Sequence, residues 1–429
     1  MDMTTKPCSP DKPCTPAKPC TLAAPCGLIG GKLGHSYSPV IHAELGDYEY
    51  RLWELEEEQV GAFVRSDTYR AMNVTIPYKK TVMPFLDIIT PEAQRIGAVN
   101  TITRTPDGKL RGDNTDYYGF LQMLRGLHLT LTGKKVMILG AGGASATAQA
   151  VTMDQGAAEM RVIAHADNTP ETMAKYTDTQ VLINCTPVGM YPKNGVSPVS
   201  LDYFPHLEGV LDMIYNPAKT RLLLDAQERG IPAINGLVML VAQAKRASEL
   251  FFDTTIDDSV IPAITDKIDR SSRNIVLIGM PGCGKSTLGK ALAEITGRPF
   301  ADTDDMIVAR SGRSIPDIFA EDGEKCFRQI ERDCVAGICA EHGMVIATGG
   351  GAPVQPGNGD LLRQNSLVLY LRRDLSALPT DGRPLSQSGK LAEMEKVRGP
   401  IYKQICDAEI VVDDDIAVTL ARAKEALGI

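Results

Sequence analysis

The sequence predicts an α/β fold with parallel sheets, and three observations lead to this prediction. Two apolar runs, VMIL and IVLI, each pass into a glycine-rich turn and then into a helical segment. Strand and helix patterns alternate along most of the chain, which implies parallel sheets. The composition is 43% hydrophobic with 39 glycines but only 5% aromatic, as is typical of α/β proteins. At 429 residues the chain is too long for one core, so several domains are expected.

The first glycine-rich turn follows the apolar run that ends at Leu139. It has serine where the third glycine of the dinucleotide-binding pattern stands. Glycines at such a turn let the backbone approach a pyrophosphate, and the N–H groups at the start of the helix bind its charge. The residues predicted to bind a dinucleotide here are Gly140, Gly142, Gly143, Ala144 and Ser145.

The second turn, GMPGCGKST over residues 279–287, matches the complete P-loop pattern after a strand. Its backbone N–H groups can surround the phosphates of ATP or GTP at a helix N-terminus. Lys285 would reach the terminal phosphates, and the Ser286 hydroxyl would bind Mg²⁺. The residues predicted to bind the nucleotide are Gly282, Cys283, Gly284, Lys285, Ser286 and Thr287. Redox chemistry and phosphoryl transfer rarely share a site, so the chain is predicted to be two enzymes in tandem.

Charge and hydropathy exclude several other classes of protein. A net charge of −8 argues against a nucleic-acid-binding surface. No run of about 18 apolar residues occurs, so no membrane span is expected. The amino terminus lacks the apolar segment of a secretory signal. We expect a cytoplasmic protein that binds small molecules; the sequence does not indicate its oligomeric state.

Four of the ten cysteines form a repeat near the amino terminus. Cys8, Cys14, Cys20 and Cys26 are six residues apart and alternate with prolines. Metal sites usually have closer C-x-x-C pairs, so residues 1–25 are predicted to be a disordered, extended tail. The other six cysteines are scattered through predicted strands and helices, where reduced structural thiols are expected.

The patterns predict four further segments after the tail. Residues 26–125 and 126–253 would form two α/β domains, and a helix over 237–252 would carry the chain back across the first of them. Residues 254–273 are acidic and then polar, and they are predicted to be a linker that holds the domains apart or packs as a helix. Residues 274–429 would form a third α/β domain that begins with the P-loop strand.

Four polar segments precede the first glycine turn: HSYSP (35–39), NVTIPYK (73–79), IGAVNT (96–101) and GDNTDYYGF (112–120). They place hydroxyl, amide, lysine and aspartate groups after predicted strands, where α/β folds bind small ligands. Hydride transfer between an alcohol and a ketone needs a group that moves the hydroxyl proton. Lys79 held beside Asp116 could donate that proton or accept it.

These segments, taken in order, resemble the shikimate dehydrogenase family over roughly residues 26 to 268. The resemblance implies a two-lobed fold, an α/β substrate lobe and a Rossmann lobe, with Lys79 and Asp116 as the catalytic pair. It also implies a set of ligand contacts. Ser36 and Ser38 would bind the shikimate carboxylate, Thr75, Asn100 and Gln243 its hydroxyls, Tyr215 its carboxylate end, and Gly236 would approach the nicotinamide ring.

One segment departs from the family pattern. Members that use NADP usually end the strand after the glycine turn with Asn-Arg-Thr, whose arginine binds the 2′-phosphate. Here the segment reads Ala164, His165, Ala166, Asp167. An acid at this place would repel a 2′-phosphate and could bond a ribose hydroxyl instead. NADP is the expected cofactor and NAD remains an alternative; Asp167 could equally lie in the following loop.

The region after the P-loop predicts the phosphate acceptor. Asp302 and Asp304 are two residues apart and would share one face of an extended segment, one serving Mg²⁺ and the other an acceptor hydroxyl. With the P-loop, this region resembles the shikimate kinase family over roughly residues 274 to 429, which implies an NMP-kinase-like domain. The resemblance assigns Asp302 to the metal, Asp304, Arg328, Gly350 and Arg398 to shikimate, and Arg383 to a catalytic segment over the phosphates.

The sequence therefore predicts a bifunctional enzyme of aromatic amino-acid biosynthesis. The first part would reduce 3-dehydroshikimate to shikimate with NAD(P)H, and the second would phosphorylate shikimate to shikimate 3-phosphate with ATP and Mg²⁺. Two alternatives stay open at this point. The first part could be an NAD-dependent quinate/shikimate dehydrogenase, or one of the two domains could be inactive and regulatory.

Overall fold

The structure, a computed structural model, describes residues 24–34, 36–378 and 388–429. His35 and Arg383, which the sequence analysis singled out, lie outside the described residues, as do Cys8, Cys14 and Cys20. The α/β prediction is confirmed, because helices alternate with three mainly parallel sheets. The chain forms two compact units. The first contains the described residues up to Asp116 together with Gln243–Ile256, and the second contains Tyr117–Ala242 and the described residues from Asp257 onward.

Six strands form the sheet of the first unit, in the order β2-β1-β3-β5-β6-β4. Their bounds are β1 Cys26–Gly30, β2 Tyr50–Glu54, β3 Met72–Val74, β4 Ile88–Ile89, β5 Thr101–Arg104 and β6 Leu110–Asp113. β1 runs parallel to β2 and β3, whereas β5 runs antiparallel to β3 and β6. The helices that begin in this unit are α1 Ser38–Leu45, α2 Glu57–Val64, α3 Pro91–Ile96 and α4 Asp116–Gly126. Ile29, Met72 and Ile102 are fully buried in its core.

The second unit contains two five-stranded parallel sheets. One has the order β11-β10-β9-β7-β8 and the other β13-β14-β12-β15-β16. The first of these sheets comprises β7 Lys135–Leu139, β8 Glu159–Ile163, β9 Val181–Asn184, β10 Gly209–Asp212 and β11 Ala233–Ile234. The second comprises β12 Asn274–Gly279, β13 Phe300–Asp302, β14 Val345–Ala347, β15 Ser366–Arg372 and β16 Ala408–Val411.

Twelve further helices surround these strands in the described part of the chain. They are α5 Gly143–Asp154, α6 Pro170–Met173, α7 Arg221–Glu228, α8 Leu237–Phe252, α9 Val260–Ser272, α10 Lys285–Thr296, α11 Thr303–Ser311, α12 Ile315–Glu321, α13 Gly323–Ala340, α14 Asn358–Gln364, α15 Ser388–Ile405 and α16 Ile416–Leu427. None of the helices in the described ranges is both long and apolar enough to cross a lipid bilayer.

The strand order explains where the two glycine turns lie. β7 has β8 on one side and β9 on the other, and β12 likewise lies between β14 and β15. The chain therefore leaves the carboxyl ends of β7 and β12 at the points where the winding direction of each sheet reverses. Ligands bind at such switch points in open α/β sheets. Both glycine turns are thus at the expected nucleotide positions.

Residues 254–273, predicted as a linker, are largely helical. Helix α9 spans Val260–Ser272 and buries Ile261, Ile264 and Ile268 on one face. Their three- and four-residue spacing is the pattern of an amphipathic helix. Of the two possibilities that the sequence left open, the structure therefore shows a packed helix.

Candidate active sites

A lysine and an aspartate form an ion pair in the first unit. Lys79 Nζ donates to Asp116 Oδ2 at 2.6 Å, and the two side chains are 27% and 13% exposed. Asp116 begins α4, and its backbone N–H donates to Asn114 Oδ1 at 3.1 Å. A carboxylate in the first turn of a helix is stabilised by the helix dipole. The predicted pair is therefore formed, and both side chains keep part of their surface exposed.

The predicted substrate residues of the first unit follow the strand ends at the same edge of the sheet. Ser36 and Ser38 come after β1, and Ser36 Oγ accepts from Ser38 N at 3.2 Å. Thr75 follows β3, and its N–H donates to Ile29 O at 2.9 Å. Asn100 precedes β5, which runs antiparallel to β3, and its carbonyl accepts from Val74 N at 2.8 Å. This edge thus presents hydroxyl and amide groups beside the lysine–aspartate pair.

Two threonines that the sequence analysis missed orient the amides of this site. Asn100 Oδ1 accepts from Thr115 N at 2.7 Å and from the hydroxyls of Thr101 and Thr115 at 3.0 and 3.1 Å. Thr115 Oγ1 also lies 3.5 Å from Gln243 Oε1. These three hydrogen bonds fix the orientation of the Asn100 amide. Thr115 belongs to the GDNTD segment, but nothing in its spacing predicted this role.

The first glycine turn has the geometry of a pyrophosphate site. Gly140 has φ 99°, which disfavours any side chain, and a Cβ there would lie 3.1 Å from Cys185 O. A Cβ on Gly142 or Gly143 would meet no atom within 4 Å, so the start of α5 is open. Ser145 is fully buried and its Oγ accepts from Gln149 Nε2 at 3.0 Å. Its hydroxyl therefore faces the helix, and only its backbone N–H is placed to serve an anion.

Gly236 and Tyr215 lie together in the second unit, near the end of β10. Gly236 N donates to Ile214 O at 3.1 Å, and a Cβ on Gly236 would overlap Met213 O. Only glycine allows this close approach. Gly236 thus packs directly against the loop that carries Tyr215.

A buried carboxylate holds this loop from inside. Asp212 accepts from Asn184 Nδ2 at 2.9 Å, from Ile214 N at 3.1 Å and from Thr220 Oγ1 at 2.6 Å. Burial raises the pKa of Asp212 to about 6. Asn184 Oδ1 in turn accepts from Thr186 N at 3.0 Å. The loops after β9 and β10 are therefore joined by one hydrogen-bonded network.

The segment that departs from the NADP pattern forms a short turn. β8 ends at Ile163, and His165–Asp167 make a single 3₁₀ turn with Asp167 exposed. His165 thus stands two residues beyond the strand, and Asp167 lies in the connecting turn rather than on β8.

The second glycine turn has the P-loop conformation. Gly279, Gly282 and Gly284 all have positive φ, at 146°, 82° and 102°. Lys285 is buried, and its Nζ donates to Gly279 O at 3.0 Å and to Met280 O at 2.9 Å. The predicted phosphate-binding lysine is therefore held over the turn by the turn's own carbonyl groups.

The two predicted metal ligands are in contact. Ser286 Oγ donates to Asp302 Oδ2 at 2.6 Å, and Asp302 Oδ1 accepts from Asp304 N at 3.0 Å. Asp302 caps α11 and so fixes the first turn that carries Asp304. Hydroxyl and carboxylate oxygens are the ligands Mg²⁺ prefers, so this pair fits the ion.

The predicted acceptor residues converge on the turn Gly349–Gly351. A Cβ on Gly349 would lie 2.6 Å from Asp304 Oδ1, one on Gly350 2.9 Å from Pro281 Cδ, and one on Gly351 2.7 Å from Arg328 Nη1. The glycines therefore allow an acid, the P-loop and an arginine to meet around one turn.

Glu331, which the sequence analysis missed, holds the arginine of this site. Arg328 Nη1 donates to Glu331 Oε2 at 2.8 Å, and the Glu331 side chain is 1% exposed. Burial raises the pKa of Glu331, and the hydrogen bond from Arg328 opposes that shift. The three-residue separation on α13 could have indicated this pair.

Arg398 lies on α15 one turn before Tyr402, whose hydroxyl donates to Gly350 O at 2.5 Å. Burial raises the pKa of Tyr402, and the hydrogen bond from Arg398 opposes this rise. Arg398 is thus placed near the same glycine turn. Arg383 lies outside the described residues, so its predicted role stays a prediction.

Fold and sites together define an enzyme with a Rossmann-type lobe, a separate lysine–aspartate site and a P-loop domain. The family model "Shikimate dehydrogenase substrate binding domain" matches residues 28–102, and the model "Shikimate kinase" matches residues 281–427.

Individual relatives agree with the dehydrogenase match. "Shikimate dehydrogenase (NADP(+))" of Clostridium beijerinckii is 37% identical over 254 residues, covering 54% of this chain and 94% of the relative. The structure of shikimate dehydrogenase 1 from Peptoclostridium difficile is 36% identical with a TM-score of 0.52, covering 57% of this chain and 97% of that one. A chorismate mutase/shikimate 5-dehydrogenase fusion protein from Clostridium acetobutylicum is 34% identical with a TM-score of 0.54, covering 58% and 97%. The chain belongs to the shikimate dehydrogenase family, and it carries a shikimate kinase domain after the dehydrogenase.

Proposed function

We propose that the first part of the chain reduces 3-dehydroshikimate to shikimate and that the P-loop domain phosphorylates the shikimate 3-hydroxyl. The Lys79–Asp116 ion pair, at 2.6 Å, carries the first half of the proposal. The nicotinamide cofactor, when bound, supplies the hydride that reaches the ketone carbon. As the ketone oxygen gains charge, Lys79 Nζ donates a proton to it. Asp116, through the 2.6 Å ion pair, keeps the lysine in place before the reaction.

The substrate would be oriented by the polar edge of the first unit. Ser36 and Ser38 are proposed to bind the carboxylate, and Thr75, Asn100 and Gln243 the ring hydroxyls. The hydrogen bonds from Thr101 and Thr115 to Asn100 Oδ1 support this role, because they fix the orientation of the Asn100 amide. Tyr215 and Gly236 are proposed to serve the carboxylate end and the nicotinamide ring.

In the P-loop domain, Lys285 would leave the carbonyls of Gly279 and Met280 for the terminal phosphates of ATP. Arg328 and Arg398 would bind the shikimate carboxylate, since guanidinium groups pair with carboxylates through two hydrogen bonds. Asp304 would hold the acceptor hydroxyl, and Gly350 would line the site. A bound Mg²⁺ would neutralise phosphate charge, and the adjoining oxygens of Ser286 and Asp302 are the proposed ligands.

A coupled assay tests both halves at once. The protein is incubated with 3-dehydroshikimate, a reduced nicotinamide cofactor and MgATP, and products are followed by mass spectrometry. Shikimate 3-phosphate is the expected product, with shikimate as its precursor. Absence of both shikimate and shikimate 3-phosphate would contradict the dehydrogenase assignment, whereas shikimate that accumulates without phosphorylation would contradict the kinase assignment. Quinate oxidation in a parallel reaction tests the alternative substrate.

NADP is the proposed cofactor. NAD is the alternative, because His165 and Asp167 stand where family members that use NADP usually have Asn-Arg-Thr. Comparing kcat/KM for NADPH and NADH measures the preference directly. Asp167→Asn should raise kcat/KM for NADPH about threefold, because it removes a negative charge that would repel the 2′-phosphate. The same substitution should leave NADH unaffected or slightly weakened. An equal change for both cofactors would place Asp167 away from the ribose.

A further inference from the structure

Two loops of the Rossmann lobe contact the shikimate kinase domain within the second unit. We call them the nicotinamide-side loops, residues 185–194 after β9 and residues 213–220 after β10. In the first loop, Tyr191 Oη donates to Cys339 O at 3.0 Å. In the second loop, the Asn216 side chain lies 3.2 Å from His342 Nε2. The kinase domain therefore touches both loops.

Gln364, the last residue of α14 in the kinase domain, joins the two loops to each other. Its Oε1 accepts from Asn194 Nδ2, and its Nε2 donates to Asn194 O at 2.6 Å. Its backbone carbonyl accepts from Lys219 N at 2.7 Å. Gln364 is 0% exposed. Because a buried amide left without partners is strongly disfavoured, these bonds hold the loops in one arrangement.

Charged pairs lie beside this buried contact. They bring oppositely charged side chains of the Rossmann lobe and the kinase domain together. The pairs are Arg363–Glu228 at 2.6 Å, Arg221–Asp360 at 2.6 Å and Lys219–Asp407 at 3.3 Å. Being partly exposed, they contribute less than the buried amide.

The same two loops pack against the groups proposed to bind the dinucleotide. The carbonyl of Cys185 would lie 3.1 Å from a Cβ on Gly140, a tight contact, and the carbonyl of Ile214 accepts from Gly236 N at 3.1 Å. Tyr215 lies within the second loop. A shift of either loop is therefore transmitted to the backbone around Gly140 or Gly236, where the cofactor would bind.

We propose that Gln364 of the kinase domain is a positioning residue for cofactor binding by the dehydrogenase. The inference rests on the proposed dehydrogenase function. Gln364 touches neither cofactor nor substrate; it acts by fixing the nicotinamide-side loops from outside, while the Asp212 network fixes them from inside. In this chain the kinase domain thus supports the neighbouring enzyme as well as catalysing its own reaction.

Gln364→Leu in the full chain tests this proposal, because leucine keeps the volume and removes the side-chain hydrogen bonds. The Kd for NADPH, measured through the fluorescence of the bound nucleotide, should rise about fivefold. The kinase rate with added shikimate should stay within about twofold. Gln404→Leu is the matched control, since Gln404 is exposed on α15 of the same domain. An unchanged Kd in Gln364→Leu would overturn the proposal, and so would an equal loss in both variants.

Further variants keep the test decisive if Gln364→Leu does not fold. Tyr191→Phe removes only the hydroxyl that reaches Cys339 O and should raise the Kd for NADPH about twofold. Where Gln364→Leu does fold, combining it with Asn194→Leu should raise the Kd for NADPH by less than the product of the two single-variant increases, because the two side chains share one interaction. An increase equal to that product would contradict the proposal. If the unaltered chain neither binds NADPH nor reduces 3-dehydroshikimate, the proposed function itself is wrong. If the unaltered chain is active and the variants keep its Kd for NADPH, only this inference is wrong.

Discussion

Two lysines serve the two proposed reactions, and their surroundings differ. Lys79 is paired with a carboxylate at 2.6 Å and is partly exposed. Lys285 is buried and bonded to two carbonyls of its own turn. The first lysine contacts a side-chain carboxylate, whereas the second contacts backbone carbonyls. For the proposed reactions, the first arrangement suits a proton donor held by a fixed partner, and the second requires that phosphate replace the carbonyls.

Of all the variants, Lys79→Met should have the largest effect on activity. A small effect would contradict the difference drawn between Lys79 and Lys285. Removing the ammonium that donates the proton should lower dehydrogenase kcat about 1,000-fold. The kinase rate with added shikimate should be unchanged, because Lys79 lies in the first unit and the P-loop in the second. Lys80→Met, at an exposed neighbouring lysine, is the control. A parallel loss of both activities would show that the two sites are not independent.

Lys285→Met should lower the kinase rate about 100-fold, because the charge that stabilises the transferring phosphoryl group is lost. Dehydrogenase kcat should stay at its original value. Lys290→Met changes an exposed lysine on the same helix and should retain the kinase rate. Full kinase activity in Lys285→Met would contradict the proposed role of Lys285 at the terminal phosphates.

Glu331→Gln should act on the binding of shikimate more than on catalysis. Without the buried carboxylate, Arg328 loses its firm orientation, and the KM for shikimate should rise about tenfold. Glu324→Gln is an internal control, because Glu324 bonds the same arginine but is 66% exposed. Its effect should be less than about twofold. Steady-state kinetics at saturating ATP distinguishes the two variants. Equal effects on the KM for shikimate would show that Glu331 does not position Arg328.

Asp212→Asn should produce the smallest effect, a change in the pH dependence of stability. Burial raises the pKa of Asp212 to about 6, so the folded chain holds this proton to a higher pH than the unfolded chain. The stability due to that proton is lost as pH rises from about 4 to about 6. Asp212→Asn should therefore gain stability relative to the original chain across this window, and keep the gain above it.

Thermal unfolding of the original chain and of Asp212→Asn at pH 4, 5, 6 and 7 measures the difference, and the control that follows is measured at pH 2, 3 and 4. Asp202→Asn provides a control of opposite sign, because the hydrogen bond from Arg229 lowers the pKa of the exposed Asp202. The stability of Asp202→Asn relative to the original chain should fall as the pH rises from the lowered pKa of Asp202 to the ordinary pKa of an aspartate. A pH-independent difference for Asp212→Asn would show that this carboxylate is ionised throughout.

Local sequence patterns predicted the elements whose chemistry is local. The sequence indicates directly the glycine turns at Gly140 and Gly284 and the alternation of strands and helices. Each depends only on the backbone preferences of residues in a short segment. The Lys79–Asp116 pair was proposed from its proton-transfer chemistry and agreed with the resemblance, and the structure brings the two side chains together. The roles of the remaining site residues stay predictions, although most of them lie at the expected strand ends.

Other features could not be predicted because they depend on distant parts of the chain. Thr115 is one of many threonines, and only the fold brings it to Asn100 Oδ1 and Gln243. Residues 254–273 have a polar composition, yet Ile261, Ile264 and Ile268 find a surface to pack against. Gln364 carries no pattern at all, since its partners Asn194 and Lys219 are more than a hundred residues earlier in the chain.

The length of α14 is constrained from both of its ends. Its first residue, Asn358, donates through Nδ2 to Ala352 O at 3.0 Å and so fixes the helix beside the glycine turn of the kinase. Its last residue, Gln364, holds the nicotinamide-side loops. One inserted residue would rotate Gln364 by about 100° relative to Asn358. We therefore expect that these seven residues do not accept an insertion. The contact of Asn358 in the kinase domain and the contacts of Gln364 with the nicotinamide-side loops both depend on the length of the helix.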